Sequence, residues 1–223
     1  MHNINSKLNL KKYSFKLLIP LTLIMLIQAT CNPTSKKTGA TNVKQMDIKE
    51  GKWAKAIFAG GCFWCMEQPF DQIKGVKATT VGYSGGSEEG PSYKQVAYGK
   101  TGHTESILIE YNPKIVSYEK LVETFWHNIN PTQKDGQFND IGKHYRTAIF
   151  YLNEEQKKIA LLSKETLSKS KKFNAPIAVL IEPAGKFWVA EDYHQDYYKK
   201  EPDHYNNYKV GSGRAGYIKK TWK

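Results

Sequence analysis

The chain has 223 residues, enough for one well-buried core, and 40% hydrophobic and 13% aromatic content fits a globular protein. Its three cysteines (Cys31, Cys62 and Cys65) exclude a disulfide scaffold, and a lone C-x-x-C excludes a four-cysteine zinc site. The net charge of +12 includes four lysines and no acid in the first 31 residues; the remaining +8 is dispersed, reads as a solvated face, and accompanies no nucleic-acid motif.

Lys7, Lys11, Lys12 and Lys16 precede an almost wholly apolar run, 17–27, and then Gln28-Ala29-Thr30-Cys31. A basic start, an apolar run of this length and small residues before a cut site describe a secretory signal. The run is shorter than the roughly 20 residues of a spanning helix. The cysteine after small residues resembles a bacterial lipoprotein signal, with Cys31 as the lipidated residue, although Gln28 stands where an aliphatic residue is usual. An ordinary cleaved signal and an uncleaved anchor are the alternatives. All three place the domain outside the cytoplasm, in the periplasm or cell envelope. Residues 32–50 are polar and mixed and read as a flexible tether, so the folded domain is expected over 51–223.

Within it, 55–58 reads as a strand ending at Gly60-Gly61, and 62–71 as a helix. A strand at 76–83 runs into a glycine-rich loop, 82–91. Residues 103–111 alternate, with Ile107, Ile109 and Tyr111 on one side and Leu108 on the other. Ser117 can cap a helix to 128, and 146–151 is a strand. Asn153 can cap a helix to 172 with Ile159, Leu162 and Leu167 on its apolar face; strands follow at 177–181 and 186–189. The alternation predicts an α/β or α+β fold: a two-layer ferredoxin-like sandwich with a mixed sheet, helices on one side and an irregular C-terminal wrap. The many tyrosines beyond 190 read mostly as surface residues with hydroxyls in water.

The chemistry centres on Gly60-Gly61-Cys62-Phe63-Trp64-Cys65. At a helix start, free N–H groups and the dipole favour a thiolate on Cys62, and Cys65 is close enough to attack it once oxidised. Reduction of an oxygenated substrate also needs a proton donor. Tyr93, Glu105, Asp140 and Tyr145 are candidates, each with a plain alternative: a solvated strand-end carboxylate for Glu105, packing for the tyrosines, a turn cap for Asp140. His103, His144 and His194 fit no zinc spacing, so no metal is expected.

Seven ordered motifs resemble the methionine sulfoxide reductase A family. They are Gly61-Cys62-Phe63-Trp64, Gly82-Tyr83-Ser84-Gly85-Gly86, Pro91-Ser92-Tyr93, Gly102-His103-Thr104-Glu105, Phe125-Trp126 with Asn130-Pro131-Thr132-Gln133, Asn139-Asp140 with Tyr145-Arg146, and Ala190-Glu191-Asp192-Tyr193-His194-Gln195, spanning about 54–207. The resemblance implies thiol-dependent reduction of the S epimer of methionine sulfoxide, free or in proteins, and repair of oxidised proteins. It implies Cys62 as nucleophile, Glu105 as acid, Tyr93 and Tyr145 on the substrate oxygen, Asp140 supporting the site, and Phe63 and Trp64 holding the methyl group. No cysteine follows Cys65, where many members carry resolving cysteines, so Cys65 is expected to resolve the sulfenic acid as a disulfide. The electron donor would be a thioredoxin-like dithiol, with no bound cofactor and no nucleic-acid partner. Two other readings stay open: a general thiol–disulfide oxidoreductase, and a lipoprotein binding module without catalysis.

Overall fold

The computed structural model describes residues 43–49 and 51–222. The signal at 1–31 with Cys31, and the tether up to 42, lie outside the described residues. The folded part starts earlier than residue 51: β1 (Gln45–Met46) pairs with β9 (Phe187–Val189) at the sheet edge, and Val43 packs against the same region. The expected tether is corrected at this end, because residues 43–49 take part in sheet pairing and packing.

The elements in chain order are β2 (Ala54–Gly60), α1 (Phe63–Asp71), β3 (Val76–Ser84), α2 (Tyr93–Ala97), β4 (Thr104–Tyr111), α3 (Tyr118–His127), β5 (Gly136–Gln137), β6 (Asp140–Ile141), β7 (Thr147–Tyr151), α4 (Glu154–Lys169), β8 (Leu180–Pro183), β9 (Phe187–Val189), α5 (Tyr197–Lys200), α6 (Pro202–Gly211) and α7 (Arg214–Thr221). Seven strands form one sheet in the order β1-β9-β3-β4-β2-β7-β8. Its centre, β3-β4-β2-β7, is antiparallel throughout, with α1 and α3 as crossovers; this is the ferredoxin-like arrangement. Strands β7 and β8 are parallel, so the sheet is mixed.

Local chemistry sets the ends of these elements. The Ser117 side chain accepts the Lys120 N–H at 3.3 Å and starts α3. Asn153 accepts the Gln156 N–H at 2.9 Å and starts α4. Alternation along β2 and β4 sends Phe58, Ile107 and Ile109 to one face and Ile57 and Leu108 to the other. The first face meets Met66 and Phe70 of α1, Leu121 and Phe125 of α3 and Ala160 of α4. Phe58 stacks there between Phe70 (5.5 Å) and Phe125 (5.2 Å). The second face is covered by Met46, Ile48, Leu152 and Ala184, not by helices.

Several boundaries differ from expectation. The strand expected at 177–181 forms three residues later, where it pairs with β7. Helix α4 ends at Lys169, and Leu162 on its expected apolar face is 59% exposed. The C-terminal wrap is built of three short helices, α5 to α7. Its tyrosines are not mainly solvent-facing. The hydroxyls of Tyr198, Tyr205, Tyr208 and Tyr217 donate to Asp71, Gln68, Asp140 and Asn130, and Tyr205 is buried. Among the described residues no helix is long and apolar enough to cross a membrane.

Candidate active site

Strand β2 ends at Gly60, and Gly61 makes the turn toward α1. Gly61 has φ +80°, and a Cβ there would lie 2.5 Å from Gln137 Cβ and 2.9 Å from Arg214 Nη2, so the turn admits only glycine. The turn delivers Cys62 to the N-cap of α1, with Cys65 in its first turn. The Cys65 N–H donates to the Cys62 carbonyl at 3.1 Å. Both cysteines are free and buried, at 3% and 1% exposure.

Burial, then the hydrogen bond with Cys65 and the charges of Cys65 and Glu105, push the Cys62 thiol well above the ordinary range. Cys65 is lowered to about 7, first by the hydrogen bond it receives from Cys62, against burial, and then by Arg214 and Lys209. The two sulfurs therefore titrate as one pair, in which burial and the first charge oppose a second. Burial of Cys62 beside Cys65 and Glu105 works against the thiolate that the helix start favours there.

Glu105 opens β4 opposite Tyr83 and continues the inward face of Ile107 and Ile109. Its Oε2 accepts the Phe63 N–H at 3.0 Å, at the start of α1. Burial raises its pKa to about 8 despite that bond, with Asp140 and Cys65 adding to the rise. It is a neutral acid at physiological pH, not a solvated strand-end carboxylate. Tyr93 lies in the first turn of α2, whose N-terminus is closed by a capping box of Ser92 and Gln95. Burial, then the charges of Glu105 and Cys62, push its phenol up to about 12. Tyr145 ends a single 3-10 turn at Lys143–Tyr145 and feels Glu105, Cys62, Tyr93 and Asp140; burial keeps its phenol protonated. Asp140 sits on β6 of a two-stranded ribbon with β5. The structure thus brings all five candidates, Cys62, Glu105, Tyr93, Tyr145 and Asp140, to one place.

Tyr208 reads from the sequence only as a surface tyrosine, and Glu191 and His194 only as motif residues without a role. The Tyr208 hydroxyl donates to Asp140 Oδ2 at 2.7 Å and is also hydrogen-bonded to Cys62, tying α6 to both. Glu191 receives the Tyr83 hydroxyl at 2.7 Å and the Tyr93 N–H at 2.9 Å. His194 accepts the Trp64 indole N–H at Nδ1, 3.1 Å away, and burial lowers its pKa to about 4, so it stays neutral. The signal for Tyr208 was its i, i+3 spacing from Tyr205, which puts both on one helix face.

Phe63 and Trp64 form an aromatic wall with distinct parts. Phe63 is buried against Tyr83 (6.1 Å) and His194 (4.9 Å). Trp64 is half-buried, stacks on Tyr197 at 3.9 Å with planes 8° apart, and meets the edge of Tyr208 at 5.7 Å. His103 is held separately by Gly86 and Glu88, and among the described residues no group of three His, Cys, Asp or Glu side chains is arranged to hold a metal ion.

A buried dithiol beside a carboxyl that stays protonated at neutral pH, walled by aromatic rings, defines a thiol reductase that delivers a proton along with its electrons. Residues 54–223 match the family model described as "Peptide methionine sulfoxide reductase". The chain is 53% identical over 169 residues to the peptide methionine sulfoxide reductase MsrA of Listeria monocytogenes serotype 4a, covering 76% of this chain and 96% of the relative. It is 50% identical over 167 residues to MsrA of Bacillus licheniformis, covering 75% and 92%. Among solved structures it resembles reduced Mxr1 from Saccharomyces cerevisiae, with TM-score 0.65, 32% identity and coverage of 70% and 90%. It also resembles methionine sulfoxide reductase A of Corynebacterium diphtheriae, with TM-score 0.61, 30% identity and coverage of 70% and 79%. The chain belongs to the peptide methionine sulfoxide reductase family. Thiol-dependent reduction of methionine sulfoxide is its chemistry, in agreement with the motifs.

Proposed function

We propose that the chain reduces the S epimer of methionine sulfoxide, free or within proteins, through a Cys62 sulfenic acid that Cys65 resolves as a disulfide. The observation that carries this reading is the neutral Glu105 carboxyl, buried beside Cys62 and fixed on the Phe63 N–H at 3.0 Å. The S epimer rests on the family match.

The substrate's methyl and sulfur rest against Trp64, in the aromatic wall that Phe63, enclosed by Tyr83 and His194, holds in place, with the sulfoxide oxygen toward Glu105, Tyr93 and Tyr145. The pair enters with one proton between its two sulfurs; the Cys62 sulfur attacks the substrate sulfur, and the proton stays on Cys65. Glu105 gives its proton to the sulfoxide oxygen, and the two phenols hydrogen-bond that oxygen as its charge changes. The hydroxyl oxygen then passes from the substrate sulfur to the Cys62 sulfur, the bond between the two sulfurs breaks with its electron pair going to the substrate sulfur, and methionine leaves; Cys62 is a sulfenic acid, Cys65 a thiol and Glu105 a carboxylate. Glu105 takes the Cys65 proton. Cys65 attacks the Cys62 sulfur, the S–O bond breaks, and the departing hydroxide recovers that proton from Glu105 as water. Two thiol electron pairs have become one disulfide, and the oxygen has left as water. Asp140 orients Tyr208 against Cys62. A thioredoxin-like dithiol then reduces the disulfide by exchange, and no bound cofactor takes part.

The basic and apolar N-terminal stretch before Cys31 supports export and lipid anchoring at Cys31 in the cell envelope, where oxidised surface proteins would be repaired. Metabolic labelling with a radioactive fatty acid tests this: label present in the full chain and lost in Cys31→Ser supports it, and label in neither rejects the anchor.

The resolving role is tested with Cys65→Ser. With a thioredoxin donor this variant should release one methionine per enzyme and stop, while the full chain turns over and its peptide map shows a Cys62–Cys65 bridge. Continued turnover of the variant, or a lasting sulfenic acid in the unmutated protein, rejects it.

A further inference from the structure

Arg214 is the largest fully buried side chain of the described residues, at 0% exposure. A buried guanidinium is ordinarily matched by a carboxylate. Here none of the described carboxylates lies within ion-pair distance. Nη1 donates to the Asn128 carbonyl at 2.6 Å and approaches Met66 Sδ at 3.5 Å; Nη2 donates to the Gly60 carbonyl at 2.8 Å; Nε has no partner. One face covers the Phe138 ring at 4.7 Å. The cation is therefore wedged between Gly60, Gly61 and Met66, the residues that bracket Cys62 and Cys65 on either side.

We infer that Arg214 is the buried counter-charge of the thiolate that the Cys62–Cys65 pair holds at rest. Through it, a C-terminal segment that contains no cysteine governs the pair's readiness to react. The inference rests on the reading above that the pair is the redox centre. It makes Arg214 a positioning residue, since it acts through Cys65 and touches no substrate.

The charged and titratable groups facing the pair come from every neighbouring element: Tyr93 on α2, Glu105 on β4, Asp140 on β6, Tyr145 on the 3-10 turn, Tyr197 on α5, Tyr205, Tyr208 and Lys209 on α6, and Arg214 at the start of α7. Only Lys209 and Arg214 are positive. Lys209 is half-buried and donates to Gln68 Oε1 at 3.2 Å, whereas Arg214 is wholly removed from water, where a charge is screened least. A plainly structural role is the alternative, because the same guanidinium closes the C-terminal end of α3 at Asn128. Arg214→Gln retains N–H donors for those carbonyls and removes only the charge; Arg214→Lys retains the charge.

The test is a thiolate titration at 240 nm on the reduced full chain, taken as the difference from a Cys62→Ser/Cys65→Ser variant that removes the Cys31 signal. The unmutated protein should titrate near 7. Arg214→Gln should move the inflection up by about one unit or more, an approximately tenfold loss of thiolate below it, and Arg214→Lys should restore it. An unchanged inflection in Arg214→Gln, or an equal displacement in both variants, overturns the proposal. If Arg214→Gln loses its native circular dichroism, the unmutated protein and Arg214→Lys decide: both near 7 supports it, and an unmutated inflection of about 8.5, the value of a free thiol, overturns it. The titration involves no turnover, so it stands apart from the Cys65→Ser experiment. A stalled Cys65→Ser with an unmoved titration removes Arg214 alone.

Discussion

The Glu105 carboxyl accepts the backbone N–H of Phe63 across 42 positions of sequence, which locks the acid on β4 to the first residue of the helix that carries both cysteines. That bond stabilises the ionised form, yet burial dominates and the pKa stands at about 8. If Glu105 supplies the proton, Glu105→Gln should slow methionine formation in a single turnover on the order of 10²-fold or more. The unmutated rate should decline above about pH 8, and the residual rate of the variant should lack that decline. A variant within a few-fold of normal would remove the acid role from Glu105.

The same burial has a stability consequence with a definite sign. Below about 4.5, Glu105 is protonated in the folded and the unfolded chain alike. Above it the unfolded chain ionises while the folded one does not, so stability falls as pH rises to about 8 and then levels. Glu67 behaves likewise up to about 7: it is buried, Oε1 accepts the Asp196 N–H at 3.0 Å, and Oε2 has no partner. Each glutamine variant should remove its share of this slope, of order 1.4 kcal/mol per pH unit within its own window. Urea unfolding of Glu67→Gln at pH 5 and pH 8 checks it. A larger gain at pH 8 is expected, and an equal effect at both would contradict the assignment.

Tyr208 is joined to both Asp140 and Cys62, so Tyr208→Phe should lower the first-step rate about tenfold while leaving the fold intact. Rapid-quench methionine formation with thermal unfolding alongside would show this. A loss confined to the thermal midpoint would make the phenol purely structural.

Trp64 presents a half-buried face supported by Tyr197 and His194, whereas Phe63 is wholly enclosed. Trp64→Ala should raise KM about tenfold with a smaller change in kcat, because it removes apolar contact made before and during reaction alike. Phe63→Ala should instead destabilise by about 3–5 kcal/mol, as a core aromatic truncation. Steady-state kinetics and denaturant unfolding on the two variants separate the roles.

Much of the fold was legible because its signals are local. The alternation in β4 separates Ile107 and Ile109 from Leu108, as the two faces of the sheet do, and Ser117 and Asn153 mark the helix starts where they cap. The five reacting candidates were legible as motifs, and the structure gathers them. What escaped depends on tertiary contact. Tyr208 reads as a surface tyrosine until α6 folds over Asp140. Arg214 reads as one of many surface cations until Gly60, Asn128 and Phe138 enclose it. The charge on the cysteine pair could not be read from a helix-start rule, because it depends on Glu105, Lys209 and Arg214, which lie 40 to 150 residues away.

The most direct test of the central claim is single-turnover reduction of the separated S and R epimers of a chromophore-tagged methionine sulfoxide by the full chain. Methionine from the S epimer at one equivalent per enzyme, with none from the R epimer, is the predicted result. Equal use of both epimers, or of neither, would contradict the account.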